Sequence, residues 1–319
     1  MKLFLALLLV SSNALSQGAW PTKPVRILVG FAPGGNTDIV TRMLAQRLQE
    51  ALGQPMVVEN KSGLGGVIAT IELARAAPDG YTLHMQSTGP HCISPFLLGK
   101  EKVPYDPVAD FAPVSNVAFN ALAMMVQPSI GAKSVPEFIA YAKAHPGKLN
   151  FGSSGIGATS HLSGEILKAM AGVDVVHVPF RGGNQATAAL LAGEIQFMFA
   201  NLSDALPQLK ASKLNVIAVT SAKRVPQAPE LPTLGEAGVP GFDVAPWNGI
   251  IAPGRTPPEL VNAIGGHIQK IVHEAGFVAK MADIGSQAIG DTPAEFRKTI
   301  QFERQRWSKL VAEAKIKAE

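Results

Sequence analysis

Residues 25–38, Val-Arg-Ile-Leu-Val-Gly-Phe-Ala-Pro-Gly-Gly-Asn-Thr-Asp, constrain the fold of this chain more than any other stretch. An apolar, β-branched run breaks at a Gly-rich turn. It then opens into a helical pattern over 38–52 that puts Ile39, Val40, Met43, Leu44 and Leu48 on one face, with Gly53 as its stop. The first backbone N–H groups of such a helix have no internal partner, and its macrodipole places partial positive charge there. That end is a seat for a carboxylate or phosphate. Gly34 and Gly35 let a ligand approach the backbone, and Thr37 or Asp38 is a capping residue. One such turn is common in α/β proteins and carries little by itself. Its echo carries more: Val175-Val-His-Val-Pro-Phe180 is a second β-branched run, followed by Arg181-Gly-Gly-Asn184 and a helical stretch over 185–191. Phe31-x-x-Gly-Gly-Asn36 thus returns one residue shorter as Phe180 to Asn184. Two facing anion seats suggest a ligand gripped at both ends.

The rest of the chain repeats the strand-then-helix rhythm. Strands are expected over 56–59 and 81–85, with a helix over 67–76 between them and a turn at Pro78-Asp79-Gly80. The third strand runs into Gln86-Ser87-Thr88-Gly89, and ligands in doubly wound sheets collect at such strand ends. After a long apolar stretch over 119–126 the pattern restarts. Ser134-Val-Pro-Glu137 reads as a capping box, 149–153 as a strand, Ser154 to Ser160 as a Gly-rich loop, and 161–170 as a helix. Strands follow over 195–200 and 215–220, with a turn at 201–204, and Thr233 to Glu236 is another candidate box. A second apolar crossing over 247–252 leads to a C-terminal part that reads as helical, with caps expected at Thr256 and Thr292. The expected architecture is α/β, with two doubly wound lobes joined by a two-strand hinge. Lobe 1 is expected to take 20–124 and 248–319, and lobe 2 to take 125–247.

Residues 1–19 read as a secretory signal: Lys2, an apolar run over 3–10, then Ser and Ala. The apolar run is well short of the roughly 20 residues a membrane span needs. The only cysteine, Cys92, excludes an internal disulfide and reads as a buried small hydrophobe. A net charge of +4, spread without runs, gives nucleic-acid binding no support. No metal-ligand spacing occurs among the seven histidines, and no G-x-S-x-G is present. Gly155-Ile-Gly157-Ala-Thr-Ser160 resembles a dinucleotide turn, but the next strand ends without the acidic residue that holds a ribose. His161 is either a donor to a carboxylate or a capping partner, and His91 is either within reach of a ligand or solvated. Trp247 either walls the cleft or packs the hinge. Asp38 and Asp204 are acids near the loops without catalytic spacing. Many donors and few acids or bases describe a binding site, with Ser87, Thr88, His91, His161, Asp204 and Trp247 as candidates beside the loops.

Several of these segments together resemble a known family. Trp20-Pro-Thr-Lys-Pro-Val-Arg26, Phe31-Ala-Pro-Gly-Gly-Asn-Thr-Asp38 and Val58-Glu-Asn-Lys-Ser-Gly63 are similar to the substrate-binding receptors of tripartite tricarboxylate transporters, the Bug family. The match continues through Pro78 to Leu83, Asn150-Phe-Gly-Ser-Ser-Gly155, His177-Val-Pro-Phe-Arg-Gly182, Pro232 to Gly238 and Trp247-Asn-Gly-Ile-Ile-Ala-Pro253. The resemblance implies a periplasmic receptor of the type II binding-protein fold that is not an enzyme and needs no cofactor or metal. It would be a monomer that closes on a small organic acid and delivers it to one large and one small integral-membrane transporter subunit. Carried over by position, the ligand role falls on Phe31, Gly34, Gly35, Asn36 and Asp38 in lobe 1. In lobe 2 it falls on Ser153, Ser154, Thr159, Pro179, Arg181 and Gly182. Ser62 and Leu64 stand where the family tends to have Pro and Ala, and Phe180-Arg181 where Tyr-Lys is usual. A sensor passing its closed state to a signalling partner is the alternative, and a secreted enzyme acting on a carboxylated metabolite a more distant one.

Overall fold

In the computed structural model, which describes residues 20–313 and 316, the first apolar run forms β1 (Val25–Val29), buried on both faces. The expected signal segment lies outside the described residues. A strand covered on both sides suits the centre of a parallel sheet, and β1 pairs in parallel with β2 (Met56–Asn60) and β3 (Thr82–Ser87). The connecting helix α1 (Asn36–Leu52) buries Val40, Leu44 and Leu48. It ends at Gly53, whose φ of 68° lets its N–H return to the Gln49 carbonyl. Helix α2 (Val67–Ala74) makes the second crossover; α3 (Ser94–Leu97) and α4 (Gly99–Lys102) follow a single π-type turn, Gly89–Ile93.

Strand β4 (Phe111–Asn120) completes the outward path on the first sheet, and β5 (Leu122–Val126) already belongs to the second. The step therefore falls at Ala121, and the expected boundary at 124/125 would cut a paired strand. The second sheet is built by β5, β6 (Asn150–Ser153), β7 (Val176–Pro179), β8 (Phe197–Asn201) and β9 (Asn215–Val219), in the order β7-β6-β8-β5-β9. Its helices are α5 (Val135–Ala144), α6 (Thr159–Ala171), α7 (Gly183–Ala192) and α8 (Leu202–Lys210). The chain returns through β10 (Trp247–Pro253), which inserts antiparallel between β3 and β4 with all its residues buried. Helices α9 (Pro258–Val272) and α10 (Ala275–Asp283), strand β11 (Ser286–Ala288) and α11 (Pro293–Glu313) then close the first sheet, ordered β11-β4-β10-β3-β1-β2. Helix α11 is locked onto β10, since a methyl group on Gly249 would lie 2.3 Å from the Phe296 ring. The two α/β layers joined by two passes match the expected architecture.

Local differences have local causes. Residues 201–204, expected as a turn, are the N-cap and first residues of α8. Strand β11 is only three residues long, too short to interrupt a helical reading of the C-terminal part. Thr233 and Glu236 make the reciprocal capping-box bonds, both 3.0 Å, but close a turn instead of opening a helix, because Gly238 follows two residues later at a φ of 104°. Thr256 does not cap α9: Pro257 occupies the cap position, and the Thr256 hydroxyl is buried without a partner. At Thr292 the box forms as expected, with Glu295 N–H donating to the Thr292 hydroxyl over 3.2 Å.

Candidate functional site

The two Gly-Gly-Asn turns meet. Asn184 Nδ2, from the second, donates to the Pro33 carbonyl of the first over 3.1 Å, and the lobes also touch where Gly65 faces Ile156 to Ala158. Between these contacts lies a cavity of about 60 Å³, room for on the order of five water-sized positions. Its walls come from both sheets: Gly35, Asn36 and Thr37 open α1, Ala158, Thr159 and Ser160 open α6, and Gly182 and Gly183 open α7. Three helix N-termini therefore converge on one space. Asn201, the N-cap of α8, lines it as well. Phe31, Leu122, Met198, Phe199 and Pro246 supply an apolar wall. Among the described residues no charged side chain lines it. Unpaired N–H groups and positive dipole ends with no cationic side chain make a site for an anion recognised by geometry.

Asp38 shapes the first turn from behind. It is the third residue of α1, not its cap; Gly35 takes the cap position with no side-chain bond, and the Thr37 hydroxyl is drawn to Asn248. The buried Asp38 carboxylate accepts from Gly34 N–H (2.9 Å), Arg42 Nε (3.0 Å) and Asn60 Nδ2 (2.9 Å). Asn60 Nδ2 also holds the Phe31 carbonyl at 3.0 Å. Burial alone would raise the Asp38 pKa, but these bonds outweigh it and hold the carboxyl below the usual range. Gly34 itself stands at a φ of 81°, where a side chain would be strained.

The second seat is braced by a buried polar stack. Ser154 N–H and hydroxyl both lie 3.0 Å from the Ser160 hydroxyl, which ties the loop to the start of α6. Ser153 points away from the cavity, its hydroxyl 2.6 Å from His177 Nε2 and receiving the Gly155 N–H at 3.1 Å. His161 accepts the Gly157 N–H at 3.3 Å and stacks on His177, ring centroids 4.1 Å apart. Burial keeps both neutral, His161 down at about 4 and His177 at about 3, the latter helped by His161 beside it. His161 is thus a loop brace, neither lining the cavity nor capping the helix by a side-chain bond.

The floor is a chain of amides that the sequence reading did not anticipate. Asn36 Nδ2 donates to Ser286 Oγ (3.1 Å), which donates to Asn120 Oδ1 (2.6 Å). Asn120 Nδ2 donates to Asn248 Oδ1 (2.5 Å), and Asn248 Nδ2 to Thr37 Oγ1 (3.2 Å). This network links α1, β4, β10 and β11 where the chain passes between lobes. A signal existed: β4 and β8 both end on Asn, and strand carboxyl ends are where such folds place ligands.

Of the sequence candidates, Phe31, Gly35, Asn36, Ser87, Ser154, Thr159 and Gly182 line the cavity. The others stand elsewhere. Gly34 and Asp38 lie behind the first turn, and Thr88 accepts the Trp247 N–H at 2.9 Å. His91 is buried beside Phe111 and Trp247, and burial lowers its pKa to about 3. Trp247 packs edge-on against Phe296 at the hinge, 4.9 Å between centroids. Pro179 and Arg181 belong to an outer recess, and Arg181 is exposed there. Asp204 lies under the start of α7, 3.1 Å from where a Gly183 methyl would stand; burial raises it to about 6. Among the described residues no group of three metal-ligating side chains occurs, and no helix is long and apolar enough to cross a membrane.

Comparison with known proteins agrees with this geometry. The profile of the tripartite tricarboxylate transporter family receptor, TctC, matches residues 40–316. Protein BugT of Bordetella pertussis is 33% identical over 308 residues, covering 95% of this chain and 93% of that protein. Among solved structures, Rpa4515 of R. palustris with adipate superposes with a TM-score of 0.90 at 35% identity, covering 93% of this chain and 99% of the other. MatC (Rpa3494) from Rhodopseudomonas palustris with bound malate gives 0.87 at 32% identity, covering 92% and 100%. With a profile match over most of its length and a two-lobed fold shared with these binding proteins, the chain belongs to the receptor family of the tripartite tricarboxylate transporters.

Proposed function

We propose that this chain is a periplasmic solute receptor that captures a small organic carboxylate between its lobes and delivers it to membrane transporter subunits. Lobe 1 comprises 20–120 with 247–313, and lobe 2 comprises 122–246. The observation that carries the reading is the convergence of the α1, α6 and α7 N-termini on an uncharged cavity between the lobes. The adipate and malate held by the two related structures are acids of the size and charge such a cavity takes. Each lobe contributes donors, the ligand bridges them, and the closed form gains stability from its higher affinity. A ligand that binds the closed form about 10⁴-fold more tightly than the open one, a difference of roughly 5.5 kcal/mol, turns a hinge equilibrium from 1:99 to 99:1.

Native mass spectrometry of gently purified protein, followed by titration calorimetry with adipate, malate and any acid released, tests the reading. One intact carboxylic acid per chain, or micromolar binding of a panel acid, is the expected result. An empty protein that binds none of them contradicts it. Asp38→Ala is expected to weaken binding about tenfold to a hundredfold, because the freed Gly34 and Asn60 donors let the turn relax. It also removes about 2–3 kcal/mol of stability by leaving buried donors unpaired. Calorimetry and thermal melts of the variant check both effects, and unchanged affinity would remove Asp38 from the account.

A further inference from the structure

Outside the ligand cavity, at the seam of the two lobes, lies a second and wider recess. Gly63, Leu64 and Gly65 form one side of it, and Ser154 to Ile156 with the turn at Arg181 form the other. It meets the inner cavity at Ser154, which lines both. Among the described residues Arg181 is the only charged one in its walls. Its backbone N–H is held by Gln185 Oε1 at 3.2 Å, which fixes the base of the side chain, while the residue itself is exposed. Cations of the first lobe beside β2 are paired locally: Arg42 with Asp38, and Arg26 and Lys61 with Glu59 and Glu72. No salt bridge engages Arg181 among the described residues. The inner cavity, by contrast, is lined by no charged side chain among the described residues.

We propose that Arg181 is the entry cation of this receptor, drawing multiply charged acids to the cleft mouth while taking no part in holding them once bound. This rests on the carboxylate reading above and adds a division of labour to it. The helix N-termini set how long the acid stays, and Arg181 sets how often it arrives. A uniform point charge acts on encounter in proportion to ligand charge and is screened by salt. For a charge passing at about 8 Å in water, Coulomb's law gives about a twofold gain in association rate for a monoanion and about fivefold for a dianion.

The test is stopped-flow binding of adipate and malate to the parent protein and to Arg181→Gln and Arg181→Glu, at low salt and at about 0.5 M salt, where the Debye length falls to roughly 4 Å. The expected result is an association rate lowered about fivefold in Arg181→Gln and further in Arg181→Glu at low salt, with all three converging at high salt. Dissociation rates should stay within about twofold of one another. A dissociation rate raised about tenfold in Arg181→Gln would overturn the inference by making Arg181 a clamp, and unchanged rates in both variants would overturn it outright. If the parent protein binds neither acid, nor any acid it carries from the cell, the carboxylate reading falls and this inference with it. Acids that bind with rates indifferent to Arg181 overturn the inference alone.

Discussion

Lowering the pH from 7 to 5 is expected to cost this protein several kcal/mol of folding stability, and four buried histidines are the cause. His84, His91, His161 and His177 are each at most 7% exposed. Burial holds them neutral, His84 and His161 down at about 4 and His91 and His177 at about 3. In the unfolded chain each titrates near 6.5. Below that pH the unfolded state takes up protons that the folded state refuses, so stability falls as pH falls from about 6.5 towards 4. Between pH 7 and 5 the linkage amounts to about 2 kcal/mol for each histidine. Asp204 works the other way, since burial raises it to about 6 and the folded state gains its proton first. Its offset is about 1 kcal/mol over the same range. The geometry says where the strain appears: a charge on His161 would press on His177, whose ring centroid is 4.1 Å away, while the Leu28 carbonyl 2.8 Å from His84 Nδ1 favours the charged ring without offsetting its burial. Urea unfolding at both pH values measures the difference. Equal midpoints would contradict the account.

Gly89→Ala is expected to leave the empty protein as stable as the parent while weakening acid binding about tenfold to a hundredfold. Gly89 begins the π-type turn after β3, and its backbone does not occupy the left-handed region, so alanine is accommodated within lobe 1. Its new methyl would lie 2.9 Å from the Gly157 carbonyl oxygen and 3.3 Å from Ala158 Cα, both on the other lobe. The first distance is below any ordinary carbon contact, and neither partner is a flexible side chain. The clash exists only when the lobes meet, so it falls on closure and not on folding. An overpacked contact of this kind costs about 1–3 kcal/mol. Gly65 faces the same loop more closely, with 2.4 Å to the Ile156 carbonyl, but its φ of 60° would add backbone strain to the result. Thermal melts with and without ligand, beside calorimetry, separate the two effects. A variant that binds as tightly as the parent would show that closure does not need this contact.

The architecture was legible because the periodicities were clean. The run at β1, the amphipathic face of α1 and the repeated Gly-Gly-Asn turn together imply two α/β lobes with facing loops, and Asn184 does reach Pro33 across the cleft. The positions Gly35, Asn36 and Gly182 at two of the helix starts followed from the same pattern, since helix N-termini after strands are recognisable from sequence, whereas Thr159 came only from the family resemblance, the helix being expected from 161. Side-chain destinations were not. Nothing local tells whether Arg181 reaches the inner cavity; in the folded chain it is exposed and lines the outer recess instead. The amide floor of Asn36, Asn120, Asn248 and Ser286 joins residues up to 250 positions apart, a relation no spacing rule carries. Trp247 reads from sequence as either cleft wall or hinge packing, and contact with Phe296 places it at the hinge; His91 reads as ligand-reaching or solvated, yet packing against Phe111 takes it into the core.

The central claim is that an acid is held by helix N-termini and not by a cationic side chain. A crystal structure of the protein with adipate, malate or the acid it carries tests this most directly. The account predicts carboxylate oxygens within hydrogen-bonding distance of backbone N–H groups at the starts of α1 and α6 or α7, directly or through one water. A carboxylate seated on the Arg181 guanidinium, or outside the interlobe cavity, would contradict it.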